Sequence, residues 1–225
     1  MTEEVVTITL HHLEHSRSFR IAWLLEELNV KYDMKVYPRD PITRQAPVDL
    51  LAVHPLGKSP VIVDNSFDPH VVVAESGAII EYLLERFPDR HTLIPARQTA
   101  EKRNYTYWLH ATEGSFAPPI ITNNIFDTIP QNVPFPVSSL VRFTFTKYAV
   151  SVTNPTIKRF LDYLESEVSK HKFLCGDSFT AADIHVYLFV VLANRQIPDN
   201  LGPNTQAWMA ELSARNAFKR VEKLL

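Results

Sequence analysis

In the first ninety residues, apolar positions alternate between the spacing of a β-strand and that of an α-helix. Val5–Leu10 is apolar and rich in β-branched residues, which predicts a strand. The next apolar residues recur at i, i+3, i+4 and i+7, namely Ile21, Leu24, Leu25 and Leu28. That spacing places them on one face of a helix. The pattern therefore predicts a strand that leads into an amphipathic helix.

The same reasoning assigns the remainder of this first region. It predicts strands at 34–37, 61–63 and 71–73, a helix-and-loop section at about 47–54 and a helix at 75–87. An Asp64-Asn65-Ser66 turn between the last two strands predicts a hairpin. The order β-α-β, α, β-β-α is typical of a four-stranded mixed sheet with helices on its faces. We therefore predict an α/β domain over residues 1–90.

Residues 96–225 carry almost only helical periodicity and predict an all-helical second domain. The expected helices lie at about 99–116, 137–152, 155–172, 181–195 and 205–225. Thr180 and Asp183 have the spacing of a capping box at the start of the fourth of these. The proline-rich patches at 117–119 and 130–136 are interpreted as breaks between helices.

Composition excludes several classes of function. The chain of 225 residues has 23 Lys and Arg against 25 Asp and Glu, a formal charge of −2, which argues against a nucleic-acid binder that works through a basic surface. It has 16 prolines but only 5 glycines, and it contains no glycine-rich phosphate-binding motif. Ordinary nucleotide-binding loops are therefore not expected.

Cysteine and histidine usage argues against disulfides and metals. Cys175 is the only cysteine, which excludes an intramolecular disulfide and a four-cysteine zinc site, and we interpret it as a small buried apolar residue. His11 and His12 are adjacent on a predicted strand and point to opposite faces, so they cannot converge with His15 on one metal ion, and we expect no metal site.

The chain shows neither a secretory signal nor a membrane span by pattern. Its first residues carry two acids and no basic segment, and its longest nearly apolar stretch, 184–193, is about half the ~20 residues that a membrane helix needs. We expect a soluble, cytoplasmic protein without a transmembrane segment.

Ser16 and Arg17 lie at the predicted start of the first helix. A helix N-terminus carries unsatisfied N–H groups and a partial positive charge, so it stabilises an anion placed there, and a nearby hydroxyl adds a directed donor. Ser16 is also a residue type that caps helices. The pattern leaves both interpretations open.

Two further segments combine polar groups with special backbone. In Gly57-Lys58-Ser59-Pro60 a proline opens a short strand, and a cis bond there would leave the main chain of Ser59 free to pair with another peptide. Glu75 and Ser76 lie at the start of a later helix, where an acid, a hydroxyl and backbone amides can hold a carboxylate and an ammonium group. Helix capping is the alternative for this pair.

The order and spacing of these segments resemble the glutathione transferases over essentially the whole chain. The stretches that carry the resemblance are HSRSFRIAWLLEEL, HPLGKSPV, AESGAIIEYL and FLCGDSFTAAD. The segments EGSFAPPI and VPFPVSSL make the chain most similar to the fungal membrane-associated cytosolic-type group. The resemblance implies a thioredoxin-like first domain that binds glutathione and a helical second domain that carries the electrophile site.

The resemblance also implies a role for each matched residue. Ser16 would donate its hydroxyl to the glutathione sulfur, and Arg17 would add positive potential. Lys58 would contact the glycine carboxylate. The remaining matches are the main chain of Ser59, the cis residue Pro60, the γ-glutamyl anchors Glu75 and Ser76, and the helix cap of Thr180 and Asp183. The chain departs from commoner members at His54, where Asn is frequent.

The expected activity is conjugation of glutathione to electrophilic small molecules, with glutathione as co-substrate and no cofactor. Tyr105, Trp108 and Phe116 are candidates for the wall of the hydrophobic electrophile site at the domain junction, although their helical spacing equally suits the core. Glutathione-dependent hydroperoxide reduction and a non-catalytic binding module are the alternatives. The resemblance further implies a homodimer and allows peripheral association with the endoplasmic-reticulum membrane.

Overall fold

A computed structural model describes residues 7–41, 43–90 and 92–225, which form two compact units. The first unit contains the described residues up to Ile94 together with Leu212–Leu225, and the second is Pro95–Glu211. The division at Ile94 lies between the two predicted domains. Val5 and Val6 of the first predicted strand are outside the described residues.

The first unit is built on a four-stranded mixed sheet, as predicted. Its strands are β1 (Ile8–Leu13), β2 (Tyr32–Tyr37), β3 (Val61–Asp64) and β4 (Val71–Ala74), in the order β2-β1-β3-β4. β1 is parallel to β2 and antiparallel to β3, and β3 and β4 form the predicted hairpin. The central strand β1 carries Ile8 and Leu10, both fully buried.

Helices α1 (Ser18–Glu27) and α2 (Ser76–Arg86) pack in this unit, and short 3₁₀ turns lie at Val48–Ala52 and Pro88–Arg90. The predicted apolar face of α1 is buried in full. The helix-and-loop section predicted at 47–54 is thus a single 3₁₀ turn.

The second unit is helical throughout its regular structure. Its helices are α3 (Ala100–Ala111), α4 (Ala117–Thr128), α5 (Val137–Tyr148), α6 (Asn154–Val168), α7 (Ala181–Gln196) and α8 (Pro203–Ser213), of which the last two residues are assigned to the first unit. The predicted capping box is present at the start of α7, where the side chain of Asp183 accepts from the amide of Thr180 at 2.9 Å. No helix among the described residues is long and apolar enough to cross a membrane.

The prediction that the proline patch at 117–119 separates helices is wrong, and the gap left between the predicted helices 137–152 and 155–172 is helical as well. A π-helical turn, Thr112–Phe116, connects α3 to α4, and another, Ala149–Thr153, connects α5 to α6. Both following helices have proline in their first positions. The first-turn amides of a helix need no intrahelical acceptor, so a proline there does not stop it. The patch at 130–136 does separate α4 from α5.

The C-terminal residues Leu212–Leu225 belong to the first unit, whereas their helical pattern had assigned them to the second domain. Helix α9 (Asn216–Val221) places Phe218 edge-on against Trp23 of α1, with ring centroids 4.9 Å apart. Nearby, Arg215 donates to both carboxylate oxygens of Glu27 at 2.7 and 2.8 Å. Periodicity identifies an amphipathic face but not the surface that covers it.

Candidate functional site

Ser16 lies in the turn between β1 and α1, half-buried, with its hydroxyl held by the start of the helix. Its Oγ lies 2.6 Å from Oγ of Ser18 and accepts from the amide of Ser18 at 3.2 Å. The assigned start of α1 is Ser18, but Arg17 already has helical angles (φ −63°, ψ −13°), and the Ser16 hydroxyl accepts from a first-turn amide as an N-cap side chain does. The capping interpretation of Ser16 therefore has support in the structure, and its role toward an anion stays a prediction.

The first amides of α1 already have acceptors. Phe19 donates to the carbonyl of Ser16 at 3.4 Å, and Arg20 donates to that of Arg17 at 3.2 Å. An anion beside this turn would therefore interact with the positive end of the helix dipole and with hydroxyl groups, rather than with these amides.

His11 and His12 point to opposite sides of β1, as predicted. Nδ1 of His11 lies 2.8 Å from the Tyr37 hydroxyl, and Nδ1 of His12 lies 2.7 Å from Oγ of Ser18. Burial lowers the pKa of both imidazoles. Both rings are therefore neutral at pH 7, with His12 directly behind the Ser16 turn. Within the described part of the chain, no three His, Cys, Asp or Glu side chains come together as a metal site.

A tight turn before β3 presents Lys58. Gly57 has φ +56°, a left-handed conformation that favours glycine, and its amide donates to the carbonyl of His54 at 2.8 Å. A Cβ on Gly57 would also lie 2.7 Å from Cδ2 of Leu51. The turn leaves the side chain of Lys58 exposed.

Ser59 uses its side chain to hold the end of β1. Its hydroxyl donates to the carbonyl of His11 at 2.8 Å and accepts from the amide of Leu13 at 3.2 Å. The Ser59–Pro60 peptide bond is cis. The main-chain N–H and C=O of Ser59 have no hydrogen-bond partner among residues 7–41, 43–90 and 92–225, so they are available to a peptide ligand.

Glu75 and Ser76 begin α2 in an unusual conformation. Glu75 has φ +73° and ψ 127°, is exposed, and makes no capping hydrogen bond. A left-handed non-glycine residue costs of order 1–3 kcal/mol and is frequent at functional sites. Ser76 is buried, and its hydroxyl accepts from Nη2 of the fully buried Arg20 at 3.1 Å. Capping, the alternative interpretation, therefore does not describe Glu75.

These segments line one pocket of about 70 Å³ in the first unit. Its walls contain six residues predicted for glutathione binding and three that sequence reasoning did not include: Arg17, Lys58, Ser59, Pro60, Glu75 and Ser76, with His54, Leu56 and Ala74. Ser16 is not part of this lining. Of the three additional residues, only His54 carried a signal, since it interrupts a family motif. The pocket offers cationic, anionic and main-chain contacts at one place.

The candidate electrophile residues lie inside the second unit. Tyr105, Trp108 and Phe116 have 2%, 0% and 8% of their surface exposed. The ring of Trp108 stacks on Tyr163 at 5.4 Å, and that of Phe116 on Phe160 at 3.9 Å. Burial of this degree favours a role in the core, and their assignment to a second-substrate wall stays a prediction.

Two other features of the second unit concern ligands and reactivity. A cavity of about 350 Å³ between α4 and α5 is lined by the stacked rings of Phe126 and Phe145 and by Arg142 and Arg195.

Cys175 is buried, and burial raises its thiol pKa to about 12. The cysteine is therefore protonated at neutral pH, in agreement with its interpretation as an apolar residue.

The sheet order, the helical second unit and the pocket at the start of α1 and α2 define a fold of the glutathione transferase class. Residues 5–85 match the family model "Glutathione S-transferase, N-terminal domain", and residues 134–216 match "Glutathione S-transferase, C-terminal domain". The chain is 36% identical to "Glutathione S-transferase 1" of Saccharomyces cerevisiae over 79% of its length and 76% of the relative. It is 32% identical to "Glutathione S-transferase 3" of Schizosaccharomyces pombe over 94% of its length and 85% of the relative. The chain belongs to the glutathione S-transferase family.

Solved structures agree with this assignment. A glutathione S-transferase from Actinobacillus pleuropneumoniae superposes with a TM-score of 0.78, at 28% identity, over 96% of this chain and 91% of that one. A glutathione transferase from Phanerochaete chrysosporium in complex with oxidized glutathione has a TM-score of 0.75 over 97% of this chain and 96% of that one. The second is 24% identical and supports the fold alone.

Proposed function

We propose that the protein conjugates reduced glutathione to electrophilic small molecules, using a thiolate that the Ser16 hydroxyl stabilises. The observation that carries the proposal is the pocket at the starts of α1 and α2, where oppositely charged side chains meet the main chain of Ser59, which has no hydrogen-bond partner among the described residues. Glutathione is a small peptide with two carboxylates, one ammonium group and two amides, so it presents complementary groups.

Each group of glutathione has a proposed partner in the pocket. Lys58 would attract the glycine carboxylate, and the main chain of Ser59 would pair with the cysteinyl residue in the manner of an added strand. At the other end, Glu75 would bind the γ-glutamyl ammonium, and the hydroxyl of Ser76 would bind the γ-glutamyl carboxylate. Arg17 would add positive potential near the sulfur.

Ionisation of the thiol is the chemical purpose of the arrangement. A free thiol with a pKa of about 8.5 is only about 3% ionised at pH 7, and lowering that pKa by about two units makes the thiolate the major species. A serine does not act as a base at neutral pH, but its O–H stabilises an adjacent anion. The thiolate then attacks an electrophilic carbon and the S–C bond forms. With an aryl halide the halide departs with its electron pair, whereas with an isothiocyanate the electron pair of the C=N bond moves to nitrogen, which takes up a proton.

The test compares wild-type protein with Ser16→Ala, using Ser139→Ala, an exposed serine on α5, as the matched control. Conjugation of an aryl halide and of an isothiocyanate is followed, together with binding of S-methylglutathione, which has no ionisable thiol. A hydrogen bond to a charged group contributes about 1.5–3 kcal/mol, so we expect Ser16→Ala to lower kcat/KM by about 10- to 100-fold. Binding of S-methylglutathione and the activity of Ser139→Ala should be unchanged. A wild-type protein that binds glutathione but conjugates neither substrate would refute the proposal.

Reduction of organic hydroperoxides would use the same thiolate and is the second enzymatic candidate. Assaying hydroperoxide and aryl halide on one preparation separates the two activities. If the protein binds no glutathione, the non-catalytic binding module replaces both.

The proposal also includes a homodimer, the placement of second-substrate contacts on the helical unit, and a cytoplasmic protein of the fungal membrane-associated group. Light scattering tests the dimer, and sedimentation with microsomal membranes tests association with the endoplasmic reticulum.

A further inference from the structure

Behind the Ser16 turn lies a chain of hydrogen bonds that the mechanism above does not use. His12 Nδ1 lies 2.7 Å from the Ser18 hydroxyl, and this hydroxyl lies 2.6 Å from that of Ser16. His12 is 2% exposed and Ser18 is fully buried, whereas Ser16 is accessible. The chain therefore leads from the core of the first unit to the hydroxyl assigned to the glutathione sulfur.

We infer that His12, acting through Ser18, fixes the direction of the Ser16 O–H so that this group donates to the sulfur, which makes His12 and Ser18 positioning residues. The inference rests on the proposed function, because it concerns how that site treats its thiol. It assigns no contact with substrate to either residue.

Hydrogen-bond capacity provides the argument. A hydroxyl has one hydrogen to donate and two lone pairs to accept with. If His12 carries its proton on Nδ1, it donates to Ser18, and Ser18 then donates to Ser16. The Ser16 oxygen also accepts from the Ser18 amide at 3.2 Å, so both of its lone pairs are occupied. Its own hydrogen is then the remaining capacity, and Ser16 can only donate to a ligand.

The other tautomer of His12 reverses the chain. With the proton on Nε2, Nδ1 accepts from Ser18, and Ser18 in turn accepts from Ser16. The Ser16 hydrogen then points away from the ligand, and a free lone pair faces it. A lone pair stabilises a thiol but not a thiolate, so the tautomer of a buried histidine decides which form of glutathione the site favours.

The surroundings of His12 favour the donating direction. Within the part of the chain that the structure describes, Nδ1 has a hydrogen-bond partner and Nε2 has none. We assign the proton to Nδ1, where the N–H has a protein acceptor at 2.7 Å. The competing acceptor for Ser18 is the carbonyl of Leu13, and its distance of 3.4 Å is long for a hydroxyl donor. Burial also lowers the pKa of His12, which keeps the ring neutral.

The test titrates the thiol of bound glutathione by its ultraviolet thiolate absorbance in full-length protein. The variants are Ser18→Ala and His12→Phe, which break the chain, and His12→Asn, whose amide can still donate to Ser18. We expect the first two to raise the thiol pKa by about one unit, a tenfold lower thiolate-to-thiol ratio. His12→Asn should remain close to wild type, and affinity for S-methylglutathione should change by less than about twofold in all three. A purely structural role for His12 would move the affinity and the thiol pKa together.

Two comparisons keep this inference separate from the proposed function. If Ser16→Ala raises the thiol pKa but Ser18→Ala and His12→Phe do not, the chain is refuted and the function stands. If the wild-type thiol pKa is not lowered at all, the proposed function fails first. ¹⁵N NMR of labelled histidine in wild-type protein gives a result even where a variant does not fold. A proton on Nδ1 of His12 supports the inference, and a proton on Nε2 overturns it.

Discussion

Replacing Asp183 tests how the second unit is held together. Its carboxylate is fully buried and accepts from donors on three segments of this unit. Oδ1 accepts from the Leu174 amide at 3.0 Å and from Nε1 of Trp208 at 2.9 Å. Oδ2 accepts from the amide and the hydroxyl of Thr180, each at 2.9 Å. Burial raises the pKa of Asp183, and these hydrogen bonds oppose the rise.

The size of the effect follows from what each variant leaves without a partner. Asp183→Ala removes the acceptor of every donor around the carboxylate, and an unsatisfied buried group costs about 1–3 kcal/mol. Allowing for water that enters the space, we expect a loss of about 4–6 kcal/mol, comparable to the whole stability of many domains. In Asp183→Asn the new NH₂ can donate to the Thr180 hydroxyl, so the Thr180 amide loses its acceptor and the hydroxyl hydrogen has to turn to another one. This variant should lose about 2 kcal/mol.

Urea unfolding followed by helical circular dichroism gives the free energies by linear extrapolation. Trp208→Phe removes one donor and should lose about 1–2 kcal/mol. Thr180→Ser, which keeps both of its contacts and removes only one buried methyl group, is the matched control and should lose no more than about 1 kcal/mol. An Asp183→Ala protein that unfolds within about 1 kcal/mol of wild type would refute this account of the capping box.

Three further predictions concern titration, reactivity and backbone strain. Because the pKa values of His11 and His12 lie below 6.5 in the folded chain, the unfolded chain binds more protons as pH falls below that value. The free energy of unfolding should therefore decrease as the pH is lowered from about 7 to about 5. A urea midpoint that increases as the pH is lowered over this range would contradict the burial of these rings. Cys175, with its thiol pKa near 12 and its burial, should react with maleimide at neutral pH only after denaturation; labelling of the native protein would show the site to be open. Gly57→Ala should lose about 1–2 kcal/mol of stability and weaken glutathione binding, because it forces an alanine into a left-handed conformation beside Lys58. Scanning calorimetry on the wild-type and variant proteins measures the stability, and titration calorimetry measures the affinity for glutathione.

The sequence predicted most of the first unit because its signals are local. Alternating and helical apolar patterns located every described strand and both helices α1 and α2, and the capping box located the start of α7. The errors arose where tertiary context decides. A proline in a helical pattern predicts the end of the helix, yet Pro118 and Pro155 lie in the first turns of helices that follow a π-helical segment. The pattern of Leu212–Leu225 contained an amphipathic face, but nothing in it identified α1 as the partner.

The sequence predicted some residues of the pocket, but not their conformations or their contacts. Lys58, Ser59 and Pro60 occur together in one motif, so the resemblance was sufficient to place them. The left-handed conformation of Glu75 was not predictable, because glutamate has no preference for it. Pairing of Arg20 with Ser76 joins residues that are far apart in sequence, and only the fold brings them together.

Buried polar side chains around the Ser16 turn belong both to the core of the fold and to the surroundings of the candidate site. His12, Ser18 and Arg20 occupy core positions on β1 and α1, where a pattern built for stability alone would place apolar residues. Ser18 is hydrogen-bonded to His12 and to Ser16, and Arg20 donates to Ser76, which lines the pocket. A buried polar residue costs free energy unless it is hydrogen-bonded, and the partners of these residues meet that requirement at the start of α1. In the proposed site the exposed residues of the pocket would contact glutathione, and the buried ones would determine where those contacts point.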